Sequence, residues 1–261
     1  MKPNEAPRLV ANGITVTRGS RRIVDAADLT LNAGEFTVLA GPNGAGKTTL
    51  ARAMAGLIAA DGAVTFDGRD LHALSPRARA LAMAYLPQGH EFHWPMRVDG
   101  IVALGREPHA DPFSRQSATD RAAITRAMEA TAVTAFAARS ISTLSGGERA
   151  RVAIARALAT EAAVLIADEP TAALDQRHQL VVMDLLRRTA HAGTAVLAII
   201  HDLTLAMRFA DRVVVMADGR IVANDDPTLA LTPERIAEIF GVAVNRVETP
   251  DGPLLLPSRA L

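Results

Sequence analysis

The tightest constraint on this chain is a run of eight residues: Gly41, Pro42, Asn43, Gly44, Ala45, Gly46, Lys47 and Thr48. It fits G-x-x-x-x-G-K-[ST], the pattern of a phosphate-binding loop. Residues 36–40 before it, Phe-Thr-Val-Leu-Ala, are short, apolar and β-branched and read as a buried strand. Residues 48–55 after it read as a helix. A strand, a glycine loop and a helix N-terminus form an anion site, because successive backbone N–H groups point inward and the helix dipole favours negative charge. Gly41, Gly44 and Gly46 let the backbone approach phosphate oxygens with no Cβ in the way. Lys47 is placed to reach the β- and γ-phosphates, and Thr48 to put its hydroxyl on Mg²⁺, with Thr49 beside it in the same turn.

The 261 residues suffice for one large α/β domain or a core with an inserted subdomain. Hydrophobic residues make up 49% and aromatics only 3%, so the core must be built mainly of Ala, Val, Leu and Ile. Lys plus Arg and Asp plus Glu both number 28. This balance argues against a dedicated nucleic-acid surface. The lack of cysteine excludes disulfide and thiol chemistry. Residues 1–7 have no apolar run and do not read as a signal peptide. The longest apolar runs, such as 195–200, fall far short of the ~20 residues of a membrane span. The expectation is a soluble, cytoplasmic protein.

Residues 9–16 alternate and 63–66 form a second short strand, with Asp61-Gly62 and Asp67-Gly68 as flanking turns. Together they predict a small antiparallel sheet beside the nucleotide core. Ser75-Pro76 opens a short helix. Residues 87–118 are rich in Pro and Gly and read as loops, and they also hold His90, Phe92, His93 and Trp94, the only tryptophan. Helices are predicted over 119–136 and 147–158, then strand 164–167, helix 178–190 and strand 195–200. This alternation implies a parallel sheet covered by helices. Strands 213–216 and 221–223 pair around Asp218-Gly219. Thr232 caps a last short helix with Pro233 in its first turn, and 242–256 read as a hairpin around Asp251-Gly252.

Two further motifs carry chemistry. Asp168 and Glu169 end the apolar strand at 163–167, on the edge of a sheet where ligands bind. Asp168 is placed to hold Mg²⁺, and Glu169 to polarise a water that attacks the γ-phosphate. In Leu144-Ser-Gly-Gly-Glu148, Ser145 and Glu148 form a capping box for the following helix. Gly146 and Gly147 also leave that helix N-terminus open to close approach by a phosphate.

The order of these motifs resembles that of the nucleotide-binding subunits of ABC transporters. The elements are the phosphate loop at 41–48, Gln88 after Leu86-Pro87, Leu-Ser-Gly-Gly-Glu at 144–148 and the strand and carboxylates at 164–169. Ala172-Ala-Leu-Asp175 and Ile200-His201-Asp202 complete the set. The likeness runs from about residue 8 to about 241. It implies an α/β fold: a RecA-like P-loop NTPase core with a small antiparallel β subdomain and an inserted α-helical subdomain. The core would comprise 1–88 and 161–241, the helical subdomain 89–160 and a C-terminal tail 242–261. The resemblance further implies ATP and Mg²⁺ as ligands. Gln88 would sense Mg²⁺ and the attacking water, His201 would contact the γ-phosphate, and Asp175 would lie at a subunit interface. Ser145 and Gly147 would close over ATP held by a second copy of the chain. Two positions depart from the pattern. Arg18 stands where an aromatic ring usually stacks on adenine; it either stacks its guanidinium there or is a surface arginine. Ala172 stands where Ser is frequent.

The segment from Leu86 through Val102-Ala-Leu-Gly-Arg-Glu-Pro-His109 resembles the ATPases of importers for iron–siderophore complexes, haem and cobalamin. That likeness implies integral membrane permease subunits as partners, a periplasmic binding protein acting indirectly and no nucleic acid. The subunit would lie peripherally on the cytoplasmic face of the inner membrane. Phe92, Trp94, Met96 and Val98 would receive the membrane subunit or else form a small satellite core. His90, His93 and His109 lack ligand spacing and are not read as a haem or metal site. A soluble ABC ATPase acting on DNA or ribosomes is disfavoured by the absence of a coiled-coil insertion, a second nucleotide domain or a basic excess. An exporter subunit is disfavoured by the Ala-Leu-Gly-Arg-Glu-Pro-His segment.

Overall fold

The computed structural model describes residues 7–89, 92, 94–111, 116–172, 174–250 and 252–261. The chain opens with a long hairpin, β1 (Pro7–Arg18) and β2 (Arg21–Asn32), followed by β3 (Phe36–Ala40) and α1 (Lys47–Met54). Next come β4 (Asp61–Phe66), β5 (Arg69–Asp70), α2 (Pro76–Ala82) and β6 (Met83–Leu86). A helical stretch then holds α3 (Val98–Ala103), the 3₁₀ segment Leu104–His109, α4 (Ala118–Ala130) and α5 (Gly146–Ala159). After it lie β7 (Val164–Asp168), α6 (Gln176–His191), β8 (Ala195–Ile199), α7 (Leu203–Phe209), β9 (Arg212–Ala217) and β10 (Arg220–Asp225). The chain finishes with α8 (Pro227–Ala230), α9 (Pro233–Phe240) and a hairpin of β11 (Val242–Thr249) and β12 (Gly252–Ala260).

The main sheet has the order β10-β9-β3-β8-β7-β6, parallel except for the β10–β9 pair. Strands β3, β7 and β8 are buried along their whole length, which is why they read as continuous apolar runs rather than alternating ones. Successive residues serve opposite faces. Phe36, Val38, Leu165 and Val196 pack with α5, α6 and α7. Leu39, Ile166, Leu197 and Val214 pack with α1 and the antiparallel sheet β2-β1-β4-β5. Among the described residues Phe36 is the only aromatic side chain that is fully buried; Ala, Val, Leu and Ile fill most of the rest. A separate core of Val98, Ile101, Ile124, Met128, Ile141 and Val152 lies within the helical stretch.

Several elements depart from the sequence expectation. β2 has no clean alternation, because Ala26 adopts φ 47 and the β1–β2 register shifts around it. Such a bulge spaces the buried residues Val24, Ala27, Leu29 and Leu31 unevenly and hides the period of two. Asp61 and Gly62 open β4 instead of forming a turn, whereas Asp67, at φ 46, does turn the chain with Gly68. The expected loop over 87–118 contains α3, whose Val98, Ile101 and Val102 are buried. Core contact outweighs the helix-weakening Gly100 there. The helix expected over 119–136 ends at Ala130, because Ala132 takes φ 53 before a 3₁₀ turn at Thr134–Phe136. The tail hairpin forms as expected, with its turn residue Asp251 outside the described residues, as are His90, His93, Pro112 and Ala173.

Candidate nucleotide site

β3, β8 and β7 are neighbours, and all three run parallel, so their carboxyl ends meet at one edge. The phosphate loop follows β3, Asp168 ends β7 with Glu169 next, and His201 lies two residues past β8. A cavity of about 310 Å³ at this edge is lined by Asn43, Gly44, Gly46, Lys47, Thr48, Thr49, Glu169 and His201, together with Arg21 and Ile23.

Gly46 precedes α1 at φ 99, in the region that favours glycine, and no side chain caps the helix. The first-turn amides of α1 therefore have no intrahelical partner and face the loop. Lys47 is buried, and its Nζ donates to the carbonyl oxygens of Gly41 at 2.7 Å and Pro42 at 2.9 Å. The Ala45 amide donates to Pro42 O at 3.3 Å, closing the loop. Burial pushes the Lys47 ammonium below its usual pKa, opposed by the charges of Glu169 and Asp168. A desolvated cation beside uncapped amides suits a polyanion such as a triphosphate.

Asp168 is fully buried. Its Oδ1 accepts from Thr48 Oγ1 at 3.1 Å and its Oδ2 from the Tyr85 hydroxyl at 3.1 Å. Burial raises its pKa, the two hydroxyl donors lower it, and the Glu169 charge raises it again. Tyr85 is pushed up to about 12, chiefly by burial. A buried carboxylate next to a threonine hydroxyl is a hard oxygen pair of the kind Mg²⁺ prefers, so the residues fit that ion. Glu169 sits in the left-handed region at φ 52, a conformation that costs a non-glycine residue about 1–2 kcal/mol. Its Oε1 lies 2.6 Å from His201 Nε2, with the histidine the more exposed of the two.

Gln88, Ser145, Gly146, Gly147, Asp175 and Arg18 do not line this cavity. Gln88 is exposed just beyond β6. Ser145, Gly146 and Gly147 form the N-terminus of α5. Ser145 Oγ accepts from the Glu148 amide at 3.2 Å, and Glu148 Oε2 accepts from the Ser145 amide at 2.7 Å. Asp175 caps α6 and accepts from the His178 amide at 2.9 Å, with the His178 ring 2.8 Å away. The hydrogen bond donated by the His178 backbone amide leads in holding the Asp175 carboxyl below the usual range. Arg18 is exposed at the end of β1 and does not line the cavity; its hairpin partner Arg21 does. Arg21, Ile23 and Tyr85 were not anticipated. Tyr85 is the penultimate residue of β6, at the same carboxyl edge of the sheet. His109 is engaged by the carbonyl of Thr160, at 2.8 Å from Nε2. Phe92 packs between the main core and the helical core and Val98 is buried, whereas Trp94 is 74% and Met96 37% exposed.

A P-loop beside a carboxylate pair and a histidine, at the carboxyl edge of a parallel sheet, defines a nucleotide-hydrolysing cassette. The ABC transporter family model matches residues 24–172. The chain is 42% identical to the hemin import ATP-binding protein HmuV of Rhodococcus jostii, over 99% of this chain and 89% of that one. It is 44% identical to the cobalamin import ATP-binding protein BtuD of Halobacterium salinarum, over 90% of this chain and 59% of that one. The fold superposes on the ATP-binding cassette MJ0796, a dimer in a post-hydrolysis state bound to ADP and phosphate. That match has a TM-score of 0.73 and 25% identity and covers 84% of this chain and 98% of the other. The chain belongs to the ABC transporter family and is an ATP-hydrolysing enzyme.

Proposed function

We propose that this chain is the ATP-hydrolysing subunit of an importer for an iron complex, haem or siderophore, or for cobalamin, working through separate membrane subunits. The observation that carries the enzymatic half is the 2.6 Å contact of His201 with Glu169 in the cavity that also holds Lys47. Import and cargo class rest on the likeness to the hemin and cobalamin import proteins.

Lys47 and the first-turn amides of α1 bind the phosphates of ATP, with the side chains of Thr49 and Asn43 beside them. Glu169 accepts the proton of the attacking water. His201 holds the Glu169 carboxylate in place and contacts the terminal phosphate from the same side. Thr48 and Asp168, together with Gln88, would hold Mg²⁺. When bound, that ion supplies charge neutralisation on the phosphates. Ser145, Gly146 and Gly147 lie outside the cavity of their own chain, which supports their acting on ATP bound to a second copy. In that arrangement the α5 N-terminus stabilises charge developing on the terminal phosphate, and Asp175 lies at the junction of the two copies.

Among the described residues no helix is long and apolar enough to cross a membrane. The exposed side chains of Trp94 and Met96, close in sequence to Gln88, are the anchors for a permease on the cytoplasmic face of the membrane. A binding protein would deliver cargo from the other side. Affinity capture of the tagged chain from gently solubilised membranes tests this reading. Recovery of a polytopic membrane protein in roughly equal amount is the expected result. Recovery only from the soluble fraction, with ribosomes or with DNA, would overturn it.

A further inference from the structure

The C-terminal end of α5 is gripped by the 3₁₀ segment Leu104–His109. Arg106 is buried, and its Nη1 donates to Ala159 O at 2.8 Å and Glu161 Oε2 at 2.9 Å, while its Nε donates to Asp120 Oδ1 of α4 at 2.8 Å. His109 Nε2 lies 2.8 Å from Thr160 O. A Cβ on Gly105 would come within 2.2 Å of Arg156 O, so the segment lies on the α5 backbone as closely as a glycine permits. The last carbonyls of a helix have no intrahelical partner, and cationic donors both satisfy them and complement the dipole. Segment and helix therefore move as one piece.

Arg77 of α2 reaches the same segment from its other side. Its Nε donates to Pro108 O at 2.9 Å, and its Nη2 to Ala110 O at 3.1 Å and His109 O at 3.4 Å. α2 passes directly into β6, whose Tyr85 bonds Asp168 beside Thr48. One arginine fork thus ties the orientation of α5 to the strand that touches the nucleotide site. The 14 residues of α5 span roughly 21 Å, so ~5° of slack at the gripped end moves Ser145 by ~2 Å, more than a hydrogen bond tolerates.

We propose that Arg77 is a positioning residue that sets the angle of α5, and so the place of Ser145 against the nucleotide of a second copy. It does not touch the nucleotide of its own chain. The proposal rests on the reading that Ser145 acts across two copies. Its effect is on closure of the pair, with ATP binding by a single chain left alone.

The test uses full-length Glu169→Gln protein, with and without Arg77→Ala. Dimerisation in Mg-ATP is followed by sedimentation, and ATP binding is followed at protein concentrations where the chain is monomeric. The expected result is a dimer dissociation constant raised at least tenfold, about 1.4 kcal/mol, by Arg77→Ala. Monomer ATP affinity should change by less than about twofold. Arg77→Lys, which keeps the charge but not the planar fork, should fall between. Equal dimerisation of the two proteins would overturn the proposal. So would a parallel loss of monomer ATP affinity, which marks a merely structural role. Should Arg77→Ala fail to fold, Arg77→Gln is judged by the same two curves and the same outcomes. If the Glu169→Gln parent itself stays monomeric in ATP, the reading across two copies falls and takes this proposal with it.

Discussion

Replacing Gly46 with alanine tests how the phosphate loop is held. A Cβ at this position would lie 2.6 Å from the Ile23 carbonyl oxygen and 3.4 Å from Val24 Cγ2, where ordinary contact begins at 3.4 Å. The nearest atom belongs to backbone, in the bulged hairpin strand β2, so it cannot rotate away. Either β2 or the loop must move by about 0.8 Å, an overpacking cost of about 1–3 kcal/mol. The φ of 99 adds a left-handed penalty of about 1–2 kcal/mol. Gly44 is the control: its φ is 81, but a Cβ there meets nothing within 4 Å, so only the backbone penalty applies. At about 2–4 °C per kcal/mol for a chain of this size, Gly46→Ala should melt roughly 2–12 °C below Gly44→Ala. Its ATP dissociation constant should also rise about tenfold or more, because the amides of the first turn are displaced. Thermal melts without nucleotide and titration with a fluorescent ATP analogue provide both readings. Equal melting temperatures for the two variants would refute the close-approach argument.

Two other predictions address the cavity wall and the helical stretch. Arg21→Ala should weaken ATP binding about two- to fivefold, the size of one exposed cation–π or charge contact, while Arg18→Ala should change it by less than that, both read by the same titration. Asp120, held at a pKa of about 2 first by the Ser117 hydroxyl and then by Arg106, stabilises the fold above the ordinary carboxylate range. Asp120→Asn should therefore melt lower than the unmodified protein at pH 7. The gap should narrow as pH falls from about 4 towards 2, because the folded-state pKa is depressed and its contribution is lost in that window. A gap that widened in acid would contradict the assignment.

What the sequence disclosed of the fold tracks how strongly each segment was constrained. β3, β7 and β8 are buried on both faces, so their apolar runs stood out, and the loop pattern located α1 and the carboxyl edge of the sheet. β2 did not stand out, because the bulge at Ala26 breaks its period and its exposed positions include Arg21, Arg22 and Asp28. α3 was obscured by the prolines and glycines around it, and only burial of Val98 and Ile101 against α5 explains a helix there. At the site, Lys47, Thr48, Asp168, Glu169 and His201 all derive from motifs at strand ends. Arg21 came into the cavity through hairpin register, which no local pattern encodes. Arg106 and His109 were visible as part of a family-like segment, but their grip on α5 needed the fold to bring residues some fifty positions apart together.

We propose Glu169 as the base of an ATP-hydrolysing cassette that works as a pair. Its most direct test is the Glu169→Gln protein, measured for ATP binding, ATP turnover and ATP-dependent dimerisation in one preparation. The expected result is unchanged binding, turnover reduced by about 10²–10⁴-fold and a dimer that accumulates in Mg-ATP. Turnover equal to that of the unmodified protein would remove Glu169 from the chemistry.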